Sequence, residues 1–324
     1  MRTWTTYQSD YIAGTNNDTD NVNRGKIWIN DSIRAISSIR NGKWKWLEDF
    51  RIIDTVALQQ DYQVPNIFRK LVDLWITIGN DPTTNSFYMP IPIYDPVQWK
   101  FVLASRLGFS DYTRFYYLKD STIQFWPIPA STGNKINMRG RLAIRNLSID
   151  DYTTGGILTA TKNSTQIVGV GTSWTRDMAG RAIRITETSS NNGGDGFWYR
   201  IDSVQSATQL TLVKPYLGES ISAGNAAYVI GQTAWIPEAY DIAVLYRSWA
   251  LYWDWKRNKA QSDRFWRMYD GGVEAGLSQV YGGIIGQMCD EEGATVEGPY
   301  ISPNSSVWWN PNYPQPDSPP NSFS

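Results

Sequence analysis

Two residue types that are frequent in catalysis, histidine and cysteine, are absent or nearly absent from this sequence, which leaves carboxylates, Lys and Tyr for any enzyme chemistry. Its 324 residues contain no histidine, which removes the Ser/His/Asp and Cys/His arrangements, the usual proton shuttle and most catalytic zinc sites. The one cysteine, Cys289, cannot form an internal disulfide and has no metal-ligand spacing around it, so we interpret it as an inert thiol. Asp290, Glu291 and Glu292 have no apolar pocket beside them and are interpreted as a solvated linker. We therefore predict no catalytic residue, no metal and no cofactor, and expect a protein that is not an enzyme.

One acidic pattern is similar to the beginning of a calcium-binding loop. Asn16, Asp18 and Asp20 stand at alternate positions, as the first ligands of such a loop do. The sixth position would be Asn21, where the turn requires glycine, and the twelfth would be Ile27, where a bidentate glutamate is required. We therefore interpret this segment as the cap of a following helix.

Arginines are the next candidates for binding a ligand. The formal net charge is −1, so a contact with nucleic acid has to come from a local patch. Strand alternation in INMRGRLAIRNLSI places Arg139, Arg141 and Arg145 on one face, with Lys135 nearby. Such spaced positive charge could contact the phosphates of passing double-stranded DNA. A solvated strand face with salt bridges explains the same pattern, and we favour that second interpretation.

Aromatic residues are the strongest feature of the composition. They make up 14% of the sequence and include 16 tryptophans, which indicates burial in cores and at interfaces. The consecutive Phe197, Trp198 and Tyr199 form either a ligand platform or part of a hairpin. Alternation places Phe197 and Tyr199 in the core with Ile201, and Trp198 beside Arg200 on the other face. We expect Trp198 and Arg200 to make a surface contact with a neighbouring domain, subunit or ligand.

Hydrophobic periodicity divides the first 152 residues into short elements. Isoleucines at helical spacing predict a helix over residues 20–39. The elements expected next are two strands within 51–79, an extended edge over 87–96, a short helix within 97–108, a hairpin turning at 119–121 and a strand from 136.

The composition changes at TTGG, residues 153–156. From there to about residue 233, short β-like runs are separated by Gly, Asn and Ser; the runs are ILTAT, TQIVGV, RAIRIT, FWYRIDSV, TQLTLV and AAYVI. Turn signals at this frequency predict a small all-β barrel or sandwich.

Helical character returns near Pro237, which suits the first position of a helix ending at Trp255. Two apolar stripes run along this helix, with Ile242, Leu245, Trp249 and Trp253 on one and Tyr240, Val244, Leu251 and Trp255 on the other. A helix that is apolar on two sides is buried deeply or shared with a neighbouring subunit. We expect Trp249, Trp253 and Trp255 to pack between subunits. A second helix is predicted from Ser262 through Leu277, interrupted at Gly271.

The last segment, residues 289–324, is rich in Pro, Asn and Ser and cannot build a core of its own. It nevertheless carries Tyr300, Trp308, Trp309 and Tyr313. Large aromatics in an extended tail are typical of anchors that fold onto a partner, so we expect these four to bind a neighbouring subunit or another protein.

The order of four features resembles the head-to-tail adaptor proteins of tailed double-stranded DNA bacteriophages, of the tail tubular protein A type. The features are WKWL at 44–47, DYQVP with FRKLVDLW within 61–75, FYYLKDSTIQFWPIP at 115–129, and IPEAYDIAVLYRSWALYW at 236–253, followed by QSDRFWRMYDGG. The resemblance covers about residues 15–150 and 234–282. Residues 156–233 have no equivalent in shorter family members.

The resemblance implies a virion protein of the neck, made in the bacterial cytoplasm. Its subunits would form a ring, commonly dodecameric, which connects the capsid portal to the tail or next neck protein and continues the DNA channel. We expect no membrane partner, because the sequence has no long apolar run. An alternative is a carbohydrate-binding virion surface or tail module that uses the aromatic β-insert.

The expected fold is α+β, with a helical bundle core, β-hairpins, an inserted β-barrel or sandwich and an extended C-terminal tail. The predicted divisions are 1–152 and 234–288 for the two parts of an adaptor domain, 153–233 for the inserted β-domain, and 289–324 for the tail.

Overall fold

Buried side chains form three separate clusters, one among helices and two among strands. The computed structural model describes residues 1–39, 44–79, 86–105, 108–110, 112–153, 155–186, 194–271 and 283–291. These residues combine helices with several sheets, which confirms the α+β class. They belong to one compact unit, Met1–Ala294, while Thr295–Ser324 form a second unit outside the described residues.

Six α-helices lie within the described residues. They are α1 (Trp4–Gly14), α2 (Val22–Ser38), α3 (Pro96–Leu103), α4 (Ile242–Trp255), α5 (Lys259–Asp270) and α6 (Gly283–Glu291). None of these helices is long and apolar enough to cross a membrane.

Helix α4 contacts α1, α2 and α5, and α5 contacts α6. The predicted isoleucine stripe of α2 is buried in this helical cluster, and the Ser32 and Ser248 hydroxyls of α2 and α4 lie 3.0 Å apart with no solvent exposure. Trp44 is also fully buried, and its indole Nε1 donates to the Ile36 carbonyl at 2.9 Å. The WKWL segment therefore packs against the end of α2.

The boundaries of the last helices differ from the prediction. Helix α4 begins at Ile242 rather than Pro237, because the intervening residues form turns, with the Tyr240 amide bonded to the Pro237 carbonyl at 2.9 Å. Helix α5 ends at Asp270, where Gly271 adopts a left-handed conformation with φ of 86°. The predicted interruption at Gly271 is therefore confirmed, and the predicted continuation through Leu277 lies outside the described residues. Helix α1 has no counterpart in the prediction, although its buried residues Trp4, Tyr7 and Tyr11 stand at helical spacing.

The strands of the first half are β1 (Glu48–Asp54), β2 (Asp61–Gln63), β3 (Phe68–Ile78), β4 (Ser86–Tyr88), β5 (Ile91–Ile93), β6 (Phe109–Ser110), β7 (Phe115–Lys119), β8 (Thr122–Trp126), β9 (Ile128–Pro129) and β10 (Lys135–Leu142). One sheet has the order β1-β10-β3-β4 and another the order β2-β8-β7-β5, and β6 pairs with β9. The two larger sheets share one core, which contains Leu74 and Ile136 from the first and Ile123 and Phe125 from the second. The predicted hairpin is confirmed, with Asp120 at positive φ between β7 and β8.

The remaining strands are β11 (Ile157–Ala160), β12 (Gln166–Val170), β13 (Ala182–Ile185), β14 (Trp198–Ser206), β15 (Gln209–Leu212), β16 (Ile221–Ala226) and β17 (Tyr228–Gly231). All six predicted β runs are strands, and β16 is additional. They form one sheet of order β16-β11-β12-β15-β14-β13-β17 around one core. The two edge strands, β16 and β17, are successive in the chain, so the sheet curls into a half-barrel.

The three consecutive aromatics of the half-barrel have different environments. Tyr199 is only 8% exposed and Ile201, paired with Leu212, is buried, as alternation predicts. Phe197 is 69% exposed, so its predicted place in the core is wrong. It precedes β14 and follows Gly196, whose φ is 72°, so it lies outside the alternating part of the chain. Trp198 is half-buried.

We predict that Gly25→Ala destabilises the protein, although alanine favours a helix over glycine by about 1 kcal/mol. A Cβ atom at Gly25 would lie 2.3 Å from the Tyr11 ring, which is 1% exposed and cannot move away. Overpacking of this kind costs about 1–3 kcal/mol. Urea unfolding should show a lower free energy of unfolding for the variant. In a Tyr11→Leu background the same substitution should cost less, and an equal cost in both backgrounds would contradict this contact.

Candidate interaction surfaces

Two of the three α4 tryptophans that we expected between subunits pack against other residues of their own chain. Trp249 donates from Nε1 to the Tyr11 carbonyl at 3.1 Å and packs on Phe265, with 5.3 Å between ring centroids. Trp253 is half-buried in the helical cluster. Trp255 alone is 42% exposed. The two apolar stripes of α4 therefore pack mainly against the chain's own helices, so α4 does not require a neighbouring subunit.

The acidic segment before α2 has a structural role. Asn21 occupies the N-cap position of α2, as predicted for this segment, but its side chain makes no capping hydrogen bond. Asp18 instead accepts a hydrogen bond from the Tyr252 hydroxyl at 2.7 Å and lies 3.0 Å from the Lys256 ammonium. These two contacts hold the pKa of Asp18 well below its usual range. They also tie the α1–α2 connection to the end of α4.

The last helix, α6, contains the cysteine and most of the acidic run beside it. Cys289 is buried in α6, and Glu291, the last residue of α6, accepts a hydrogen bond from the Tyr240 hydroxyl. The interpretation of Asp290 and Glu291 as a linker is therefore wrong. Within the described ranges, no group of His, Cys, Asp and Glu side chains could hold a metal ion.

The predicted arginine face is not a continuous one. Arg139 forms ion pairs with Asp73 and, at 3.4 Å, with Glu48, so the salt-bridge part of our interpretation is confirmed for this residue. Arg141 is 6% exposed and is not solvated. Arg145 is exposed and lies beyond the end of β10, so its place in the strand is wrong. Two register shifts in the pairing of β10 with β3, one after Arg139 and one after Arg141, also interrupt the alternation.

Arg200 connects the half-barrel to strand β1. Its guanidinium lies 3.1 Å from Asp49, and Arg51 of β1 lies 2.8 Å from Asp202 of β14. The Trp235 ring lies on another side of Arg200, with 5.9 Å from the guanidinium carbon to the ring centroid. Desolvation lowers the pKa of Arg200, while the attraction of Asp49 opposes that effect. Arg200 therefore contacts a neighbouring part of the same chain. The ring of Trp198, the other residue of the predicted pair, lies near Arg184, with 6.0 Å from the guanidinium carbon to the ring centroid.

The structure reveals one exposed apolar surface that the sequence reasoning missed. We call Tyr94, Val97 and Phe101 the α3 face; they are 71%, 56% and 74% exposed and stand at helical spacing. The opposite side of α3 is anchored by Trp99, which stacks on Tyr117 with 5.5 Å between centroids and donates to Gln124 at 3.1 Å. The signal was present in PVQWKFVL, where Gln98 and Lys100 are the two polar residues and apolar residues fall on more than one side of the helix. Exposed aromatic clusters of this kind mark protein interaction sites.

Tyr300, Trp308, Trp309 and Tyr313, the predicted anchors of the tail, lie outside the described residues. Their role remains a prediction.

Residues 5–160, just under half of the chain, match the family model of the SU10 adaptor protein. This match supports a phage structural protein of the adaptor class, acting at the head-to-tail junction of the virion, in agreement with the resemblance found in the sequence. No curated protein matches the chain significantly.

We predict that Asp49→Ala lowers the free energy of unfolding by about 2 kcal/mol, because it leaves the poorly solvated Arg200 without its carboxylate partner. The side chains of Arg200 and Asp49 are 17% and 14% exposed, so water replaces this interaction poorly. Chemical denaturation would measure the loss. The matched control is Glu219→Ala, which removes the partner of Lys162 in an exposed ion pair and should change stability by less than about 0.5 kcal/mol. Equal effects of the two substitutions would contradict a structural role for the Asp49–Arg200 contact.

Proposed function

We propose that this protein forms an oligomeric ring, dodecameric as in the family it resembles, which connects the capsid portal to the tail and continues the DNA channel. The observation that carries the proposal is the match of residues 5–160 to the SU10 adaptor family. Electron microscopy of the purified protein mixed with its portal protein tests it directly. A protein that stays monomeric and does not bind the portal would overturn it.

The α3 face supports the proposal by offering a surface for a protein partner. An isolated exposed phenylalanine is ordinary, but Val97 and Phe101 of α3 stand beside each other with Tyr94, which lies just before the helix, and all three are exposed. The Trp99 contacts hold α3 firmly against its sheet, so binding there would require little ordering of the backbone. We infer that the α3 face is covered by another protein chain in the assembled neck.

Phe101→Asp should leave the subunit folded and impair ring or portal assembly, because a charge replaces the most exposed apolar side chain of the α3 face. Phe197→Asp is the matched control, since Phe197 is 69% exposed and lies on the half-barrel. Circular dichroism checks the fold of both variants, and electron microscopy with portal protein scores assembly. Normal assembly by Phe101→Asp would remove the α3 face from the interface.

The C-terminal tail is proposed to strengthen the attachment to the portal or to a neighbouring subunit. Deletion of residues 297–324 should weaken assembly of ring with portal and leave the thermal unfolding of the subunit unchanged. Combined replacement of Trp308, Trp309 and Tyr313 by alanine should reproduce the defect, because these aromatics supply most of the apolar contact area in the tail. Full portal affinity after deletion would refute this role.

The alternative function, carbohydrate binding by the half-barrel, has weaker support. A sugar-binding shelf needs adjacent exposed aromatic faces, whereas Tyr199 belongs to the core and Trp198 is half-buried. Phe197 remains as the exposed member of the three. Glycan binding that is lost in Phe197→Ala or Trp198→Ala variants would restore this alternative.

A further inference from the structure

The end of the α4–α5 hairpin concentrates positive charge in a chain that is nearly neutral overall. Between Trp255 and Arg267 the sequence KRNKAQSDRFWR contains five Lys or Arg residues and one carboxylate, Asp263. Helix α5 rises about 1.5 Å per residue, so these charges lie within about 20 Å of one another. The patch is therefore local, as the net charge of −1 requires of any nucleic-acid contact.

Three carboxylates near this patch are bound by its two lysines or by neutral donors and form no ion pair with its arginines. Asp18 pairs with Lys256 at 3.0 Å, and Asp263 pairs with Lys259 at 3.1 Å. Asp254 accepts hydrogen bonds from the Ser262 hydroxyl at 2.5 Å and from Trp266 Nε1 at 3.0 Å. These contacts leave the arginines of the hairpin without neutralising partners.

Four arginines of this region are exposed and have no ion pair to any carboxylate of the described residues; they are Arg24, Arg257, Arg264 and Arg267. Arg264 and Arg267, separated by three residues, stand on one side of α5 and line a shallow groove with Ala260, Asp263 and Met268. The other sides of α5 are occupied by α4 and α6. The arginine side of α5 is thus open to a large partner.

The end of α4 adds an aromatic ring that is held between cations. The guanidinium carbon of Arg24 lies 4.3 Å from the centroid of the Trp255 ring, and the Lys256 ammonium lies 4.9 Å from it. These contacts order two long basic side chains beside an exposed ring, which reduces the entropy they lose when they bind a ligand. A pre-ordered cluster of cations matches closely spaced phosphates.

We propose that the surface formed by Arg257, Arg264 and Arg267, with Arg24 and Trp255 beside it, contacts the phosphate backbone of double-stranded DNA. Arginine is suited to this role because its planar guanidinium can donate two hydrogen bonds to one phosphate. This contact is independent of the DNA sequence, because side chains that bind the phosphate backbone do not touch the edges of the bases. The inference rests on the proposed function, in which DNA passes through the assembled ring, and assigns the contact to α5 rather than to Arg139 and Arg141 of β10.

Duplex binding by the full chain, followed by fluorescence anisotropy over a range of salt concentrations, tests this surface. We expect weak binding at low salt that falls steeply as salt rises, with a slope of about 0.9 for each phosphate neutralised. Arg264→Gln/Arg267→Gln should weaken binding at low salt about tenfold and reduce the slope by about 2. The matched control is Arg34→Gln/Lys162→Gln, which removes the same charge from two exposed, ion-paired positions outside the hairpin and should bind as the unchanged protein does.

Two results would overturn the proposal, namely absence of duplex binding by the unchanged protein and equal losses in the two double variants. If duplex binding is absent and polyglutamate binds instead, the surface fits an acidic protein partner. Assembly with portal protein, scored by electron microscopy on the same samples, separates this inference from the proposed function. If Arg264→Gln/Arg267→Gln loses duplex binding and still assembles with portal protein, the DNA-binding role of this surface is supported. If the unchanged protein does not assemble with portal protein, the proposed ring is refuted, and the duplex measurement alone tests the surface.

Discussion

Helix α4 lies against α1, α2 and α5, and its residues Ala243, Val244 and Leu245 have no exposure to solvent. This burial joins the beginning of the chain to a helix more than two hundred residues later, after the whole half-barrel has been completed. The free energy of removing this apolar surface from water must offset the entropy of closing such a long loop, which grows only slowly with its length. The contact of Asp18 with Tyr252 and Lys256 then fixes one end of α4 against the α1–α2 connection.

The half-barrel is attached to the rest of the unit by polar contacts as well as by its two chain connections. Thr3 forms an isolated bridge with Thr233 and donates to Asp151 at 2.5 Å, so the N-terminal segment contacts the chain on both sides of the half-barrel. The Asp49–Arg200 and Arg51–Asp202 contacts provide a second attachment at β1. Together they favour one orientation of the half-barrel relative to β1, which a pair of flexible connections could not fix.

Arginine has different roles in this protein according to its surroundings. Arg139 and Arg200 form ion pairs that join strands or sheets, whereas Arg264 and Arg267 are exposed and form no ion pair with a carboxylate in the part of the chain that the structure describes. From strand alternation alone, Arg139 could be either a DNA contact or a salt-bridged residue, and Arg200 could contact a neighbouring domain, subunit or ligand. The distinction depends on which acids the fold brings near each guanidinium, and those acids come from distant parts of the chain, such as Asp73 for Arg139.

Short-range patterns in the sequence determined the local elements. Isoleucine spacing gave α2, the prolines and alternation gave the β7–β8 hairpin, and turn residues separated the six predicted strands of the half-barrel, because each signal acts within a few residues. The absence of histidine likewise removed whole classes of chemistry before any fold was known. Tertiary structure alone decided that α4 is satisfied within its own chain, that Phe197 is exposed, that Arg139 is neutralised, and that one side of α3 remains open. Burial and charge pairing are set by contacts between residues far apart in sequence, and periodicity carries no information about which of those contacts form.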